Sequence, residues 1–222
     1  MSADTARRLA EEYTERWNSL TERWSRRPGS TLGTLGPSGT SSHLAAGLLV
    51  ERHGLHIRLF DTFDDVLAAL VDRKVEYALV PSAYQGLTRF HWHRDLRLVA
   101  FFPQATPEYG IAAPPETGTE TEMEMATETV SEAGRGPVRV AAMWEVRRIY
   151  AEVVPAALSG REVRWVDADS TQHAAEILAA GGADLAVTNA PGVLAHGLSW
   201  VARRPGAEIV WTVFGHAEPS PL

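Results

Sequence analysis

Side chains able to do chemistry crowd one short stretch of this sequence. Gly36-Pro37-Ser38-Gly39-Thr40-Ser41-Ser42 follows a short apolar run, Leu32–Leu35, and precedes another from Leu44 to Val50. This is the pattern of a strand, a tight glycine turn and a helix start. A helix N-terminus offers unpaired N–H groups and a partial positive charge, and glycine lets a ligand approach the backbone. With hydroxyls added, such a loop suits a carboxylate or a phosphate. A plain strand-to-helix turn with a serine cap has the same composition, so spacing alone leaves both readings open.

Further hydroxyls, amides and phenols stand where other apolar runs end. Ser82, Tyr84 and Gln85 follow Tyr77–Val80; Trp144 follows Val138–Ala142; Ser170 and Thr171 open a helical pattern; Thr188 and Asn189 follow Leu185–Val187. Tyr109 begins an apolar segment of its own. The chemistry on offer is anion binding by neutral donors, plus proton donation by a phenol whose ordinary pKa near 10 keeps it protonated at neutral pH. No metal site is expected. His91 and His93 lack carboxylate partners in sequence, and His43, His173 and His196 fall in apolar helical patterns that suit structural histidines. Ser199, His216 and the aspartates have no nucleophile-elbow context, which disfavours a hydrolase triad.

Composition narrows the field. The 222 residues can bury a substantial core in one domain or two small lobes. With no cysteine, disulfides, thiolate catalysis and cysteine zinc sites are excluded. The first thirty residues are charged and contain no signal-peptide-like core, and no apolar run approaches membrane-spanning length, so a cytoplasmic chain is expected. Net charge is −7, and six glutamates against one arginine lie between Pro114 and Gly136, so the acidity belongs to one segment. No basic stripe points to nucleic acid.

The elements that must position these groups alternate. Asp4–Arg27 has apolar residues at three- and four-residue steps and reads as a helix, an appendage over residues 1–29. Its seam of Ala6, Ala10, Tyr13, Trp17, Leu20 and Trp24 suits either packing on its own domain or a homodimer contact. Lobe 1 is expected over residues 30–113: strands Leu32–Leu35, Ile57–Phe60 and Tyr77–Val80, helices Thr40–His53 and Thr62–Arg73, and extended segments Leu96–Phe102 and Tyr109–Ala113. Residues 114–136 read as an acidic flexible linker. Lobe 2 is expected over residues 137–205: strands Val138–Ala142, Val163–Val166 and Leu185–Thr188, with helices Glu145–Ala157, Ser170–Ala180 and a short one near Pro191–His196. A final strand, Ile209–Phe214, and a tail fill residues 206–222. Short strands separated by helices imply parallel sheets covered on both faces. The two runs share one grammar and predict an α/β fold of two similar lobes with a cleft, like the type 2 periplasmic-binding proteins, plus the N-terminal helix. Ligands in open α/β sheets bind at the carboxyl ends of the strands.

Gly36-Pro37-Ser38-Gly39-Thr40-Ser41-Ser42-His43 resembles the G-P-x-G-T-(F/Y)-S-H signature of the prephenate dehydratase family, with Ser41 at the aromatic place. Val80-Pro81-Ser82 is similar to that family's V-P-I-E-N-S stretch, and Ser170-Thr171 through Leu198 to its second-half motifs. The pair G-P-S-G-T-S-S and V-P-S-A-Y looks closer to the family's prephenate decarboxylase branch, that of the bacilysin pathway. The resemblance covers most of Leu32–Leu198 and is specific in the first motif. It implies the same two-lobed fold, prephenate as small-molecule substrate and no cofactor. The dehydratases' late T-R-F motif, which assists hydroxyl loss, has no counterpart in the Val210-Trp211-Thr212-Val213-Phe214 region; Thr88-Arg89-Phe90 has the letters in the wrong half. Val80-Pro81-Ser82-Ala83-Tyr84-Gln85 loses the acid and amide and gains a phenol. These departures favour decarboxylation that keeps the hydroxyl and protonates the ring, in antibiotic or other specialised metabolism. On this reading Tyr84 is the catalytic proton donor, ahead of His43 and Tyr109. Substrate-binding candidates are Ser38, Gly39, Thr40, Ser41, Ser42, Ser82, Gln85, Tyr109, Trp144, Ser170, Thr171, Thr188 and Asn189. A dehydratase and a non-catalytic carboxylate-binding protein are the alternatives.

Overall fold

A computed structural model describes residues 3–115 and 136–217. The chain divides into two compact units. The first holds the chain up to Gly36, Ser42–Gln104 and the chain from Glu208; the second holds Pro37–Ser41 and Ala105–Ala207.

The first unit is a five-stranded sheet in the order β2-β1-β3-β10-β4. β1 (Thr31–Leu35) lies parallel to β2 (His56–Phe60) and to β3 (Tyr77–Pro81), and β10 (Glu208–His216) pairs antiparallel with β3. β4 (Leu96–Ala105) is an edge strand. Helices α2 (Ser41–His53) and α3 (Phe63–Val71) make the crossovers, and the short α4 (Thr88–His91) follows β3. α3 is capped by Thr62, whose Oγ1 accepts from the Asp65 N–H at 3.1 Å.

The N-terminal helix α1 (Ala3–Arg26) is part of this unit and not an appendage. Leu20 and Trp24 are fully buried in a core with Leu32, Ala46, Leu49, Leu79, Trp211 and Val213, and Trp17 packs against it. Burial of such a side chain stabilises by about 1.5–3 kcal/mol. Tyr13 Oη and Trp17 Nε1 both donate to the Phe101 carbonyl, at 2.9 and 3.1 Å, so the helix also covers the open edge of β4. The C-terminal half of the predicted seam is thus spent on the chain's own core. Leu9 stays half exposed on the other half.

The second unit repeats the plan with the order β7-β6-β8-β5-β9. β6 (Val138–Ala142) lies parallel to β7 (Val163–Asp167) and β8 (Leu185–Asn189). β5 (Tyr109–Ala113) runs antiparallel to β8 and to β9 (Ser199–Arg204). Helices α5 (Arg147–Val153), α6 (Thr171–Ala179) and α7 (Ala190–His196) complete it. Its two apolar layers are alanine-rich on the α6 side and built on Ile111, Val140, Leu185 and Val187 on the other.

The expected boundaries are corrected in two places. Tyr109–Ala113 belongs to the second sheet, because its partners are β8 and β9, and the units divide at Gln104. The last strand belongs to the first sheet, through its pairing with β3. Each unit therefore takes its antiparallel strand from outside its own βαβ run, which local periodicity does not reveal. The acidic linker, apart from its ends, lies outside the described residues. Among the described residues no helix is long and apolar enough to cross a membrane.

Candidate functional site

The second unit carries most of the candidate residues and joins several of them by hydrogen bonds. Tyr109 opens β5 directly opposite Asn189, the last residue of β8. Asn189 is fully buried. Its Oδ1 accepts from Gln172 Nε2 and from the Gly192 N–H, both at 3.0 Å, the second of these capping α7. Its Nδ2 donates to the Gly39 carbonyl at 3.1 Å. One side chain thus fastens α6, α7 and the glycine loop together. Gly39 has φ +89°, and a Cβ on it would lie 2.9 Å from Gln172 Nε2, so both backbone sign and space require glycine.

With the loop fixed, Ser41 Oγ stands 2.6 Å from Tyr109 Oη. Burial pushes the Tyr109 phenol above the usual tyrosine range, and the bond to Ser41 offsets part of that rise. The phenol is therefore protonated throughout the neutral and mildly alkaline range. Thr40 and Ser42 are buried beside Ser41, while Ser38 is exposed at the tip of the loop. Ser170 caps α6, its Oγ accepting from the His173 N–H at 3.0 Å. Thr188 is fully buried, and its hydroxyl donates to the Thr171 carbonyl at 2.6 Å. Thr188 and Asn189 are accordingly framework residues that hold the loop and helices in place. Trp144 follows β6 in a single 3₁₀ turn and is 62% exposed.

Ser82, Tyr84 and Gln85 belong to the first unit. Ser82 and Gln85 are exposed after β3. Tyr84 packs its ring on Phe63 at 4.5 Å, and its hydroxyl donates to Asp64 Oδ1 at 3.3 Å. Arg89 pairs with the same carboxylate and holds the Asp64 carboxyl below its ordinary range. The Tyr84 proton is thus directed at a carboxylate. Of the Thr88-Arg89-Phe90 string, Arg89 is spent on Asp64 and the buried Phe90 stacks 5.3 Å from Phe214.

Gln172 was not foreseen. A signal was present: an amide in the first turn of a helix whose Ala174, Ala175 and Leu178 are core residues is buried and needs a partner. Among the described residues no three His, Asp or Glu side chains gather as a metal site requires.

Two α/β units with one strand order and ligand-type loops at their strand ends define the type 2 periplasmic-binding-like class. Solved structures agree on the fold. A prephenate dehydratase from Arthrobacter aurescens, in complex with L-Phe, superposes with TM-score 0.58 at 16% identity over 86% of this chain and 62% of its own length. The VFT2 domain of Bordetella pertussis BvgS gives 0.53 at 14% identity, over 89% of this chain and 84% of that one. No protein-family profile matches the chain. Sequence likeness is more specific: the prephenate decarboxylase of Bacillus subtilis (strain 168) is 29% identical over 194 residues, 85% of this chain and 87% of that protein. The resemblance to the decarboxylase branch, first carried by the glycine loop and the Val80-Pro81-Ser82 stretch, thus extends over most of the chain.

Proposed function

We propose that this chain is a prephenate decarboxylase. The observation that carries the reading is the likeness to such enzymes over 85% of the chain. The glycine loop, where the sequence likeness to the family is sharpest, is the part that Asn189 holds against Tyr109.

In this reaction the bond from the ring to its carboxylate breaks and CO₂ leaves. The electron pair passes into the ring diene, a ring carbon takes a proton, and the C4 hydroxyl stays, giving a dihydro-4-hydroxyphenylpyruvate. The protein must hold a dianion, stabilise the delocalised charge and deliver one proton, and that chemistry calls for no cofactor. The loop and the first turn of α6, which carries no acidic side chain, supply neutral donors for the anion. For the proton, the geometry favours Tyr109 over Tyr84. Tyr109 sits in the loop network with its pKa raised, whereas the Tyr84 hydroxyl points at Asp64. The cytoplasmic location and the specialised biosynthetic role expected from the sequence belong to the same proposal.

The test is incubation of the purified chain with prephenate and identification of the product. A non-aromatic dihydro-hydroxyphenylpyruvate is expected. Phenylpyruvate in its place would make the chain a dehydratase, and unchanged prephenate would overturn both enzyme readings.

A further inference from the structure

In the second unit, the rim that carries Tyr109 and Asn189 continues onto the neighbouring strands. β8 and β6 run side by side and parallel, and Ala142 at the end of β6 pairs with Asp167 at the end of β7. Asn189, Trp144 and Asp167 therefore leave the sheet at the same end, spread over two strand spacings, about 10 Å. A cation on this rim is Arg147, the first residue of α5; Arg204, opposite Tyr109 on β9, is paired with Glu152. Its guanidinium carbon lies over the Trp144 ring at 5.2 Å from the centroid and over the Trp165 ring at 5.0 Å. Nη2 pairs with Asp167 Oδ1, and Nε is buried without an acceptor. The Arg147 side chain is 16% exposed, against 93% for Asp167. A guanidinium has five N–H donors in a fixed plane, stacks well on aromatic faces and is weakly hydrated. One exposed carboxylate leaves most of those donors unused.

We propose that Arg147 binds one carboxylate of the substrate, held in register by Trp144 and Trp165, with Asp167 giving way to it. The inference rests on reading the chain as an enzyme acting on a dicarboxylate, and it says which carboxylate. The group that departs as CO₂ loses its charge in the transition state, so a strong ion pair to it would favour the ground state and slow the step. The α-keto carboxylate of the pyruvyl arm keeps its charge throughout and is the one a fixed cation should hold. The leaving carboxylate then falls to the neutral hydroxyls of Ser41 and Tyr109. A cation–π clasp that merely stiffens the turn after β6 is the competing role for Arg147.

Three measurements separate them. Arg147→Gln should raise KM for prephenate at least tenfold, with kcat within about threefold and an unchanged melting temperature. Arg147→Lys, which keeps charge without the planar fork, should fall between. Asp167→Asn should leave KM unchanged or lower it. Phenylpyruvate, a stable α-keto acid with one carboxylate, can be titrated by tryptophan fluorescence whether or not the protein turns prephenate over. The Arg147→Gln variant should bind it at least tenfold more weakly than wild type. Absence of wild-type turnover with that difference intact would sink the proposed reaction and keep the Arg147 assignment. Equal phenylpyruvate affinity and equal KM in Arg147→Gln, or a lowered melting temperature with affinity unchanged, would overturn the assignment. If Arg147→Gln does not fold, Arg147→Lys decides: a KM and a phenylpyruvate affinity equal to wild type would overturn it.

Discussion

The two units start from the same plan and use it differently. In each, a backbone N–H at the start of the first strand is held by a carboxylate 45 residues further on: Thr31 by Glu76 at 3.0 Å in the first unit, Arg139 by Asp184 at 2.9 Å in the second. In each, the second strand leads to a nine-residue helix capped by a hydroxyl, Thr62 for α3 and Ser170 for α6. The contrast comes one residue later. The first turn of α3 holds Asp64 and Asp65, while that of α6 holds no acid and presents Thr171 and Gln172. The positive end of α3 is satisfied by its own side chains, and Asp64 also engages Arg89 and Tyr84. The first turn of α6 has no such acids of its own. The third strands end in the same contrast. β3 runs into exposed Ser82 and Gln85, whereas β8 runs into buried Asn189 with three hydrogen bonds. Duplicate architecture thus carries a helix start neutralised by its own acids in one unit and, in the other, a helix start without acids in its first turn beside a buried, hydrogen-bonded strand end.

If the difference is functional, the two phenols should part company. Tyr109→Phe keeps the ring and removes the hydroxyl bonded to Ser41. Turnover should fall by about 10²–10⁴-fold, the usual share of a general acid, with little change in KM. Tyr84→Phe should stay within a few-fold of wild type, because the hydroxyl it removes is engaged with the exposed Asp64 carboxylate. Steady-state kinetics on both variants decides the matter. The reverse ranking would return the donor role to the first unit and break the comparison.

A smaller effect is expected from loosening the loop. Asn189→Ala removes the bond to the Gly39 carbonyl and leaves the buried Gly192 N–H and Gln172 amide without this acceptor, and a buried group left unpaired costs about 1–3 kcal/mol. Melting temperature and kcat/KM should fall together. Gly39→Ala should imitate the kinetic loss, since its Cβ strains the loop's positive-φ backbone and presses on Gln172 Nε2. A Gly39→Ala variant with wild-type kinetics would show that the loop's conformation is irrelevant to turnover.

Much of this was legible in the sequence because the signals are local. The helix starts near Thr62 and Ser170, the strand before the glycine loop and the parallel grammar of the two runs all follow from residues a few places apart. The glycine loop between β1 and α2 was visible for the same reason. What escaped depended on distant partners. Tyr109–Ala113 reads as an extended segment, but nothing near it in sequence says that it pairs with β8. Thr188 and Asn189 looked like ligand groups at a strand end. Only the buried bonds to Thr171, Gln172 and Gly39 show that their polar atoms hold the site together. Tyr84 was favoured because it replaces the family's acid and amide, yet its hydroxyl faces Asp64, twenty residues away in the chain.

The smallest difference between the units lies in the clips at their first strands. Arg139 adds its guanidinium to the backbone bond, with Nη2 at 2.6 Å from Asp184 Oδ1, and that hydrogen bond is the main reason the Asp184 carboxyl is held below its ordinary range. A carboxyl with a depressed folded-state pKa contributes stability above its unfolded pKa, near 3.9, and loses it as pH falls through the lower folded value. Asp184→Asn keeps an oxygen for the Arg139 N–H and removes the charge together with the second acceptor, which Arg139 Nη2 uses. Both partners are more than a third exposed, so solvent screening limits the loss to about 0.2–1 kcal/mol at neutral pH. The gap between wild type and variant in denaturant titrations should therefore be constant from pH 7 down to about 5. It should shrink below the ordinary aspartate value and vanish once Asp184 itself is protonated in the folded state. A gap that persists at pH 2 would mean that the substitution acts through packing, and that the charge on Asp184 adds nothing to the backbone clip which Glu76 provides in the first unit.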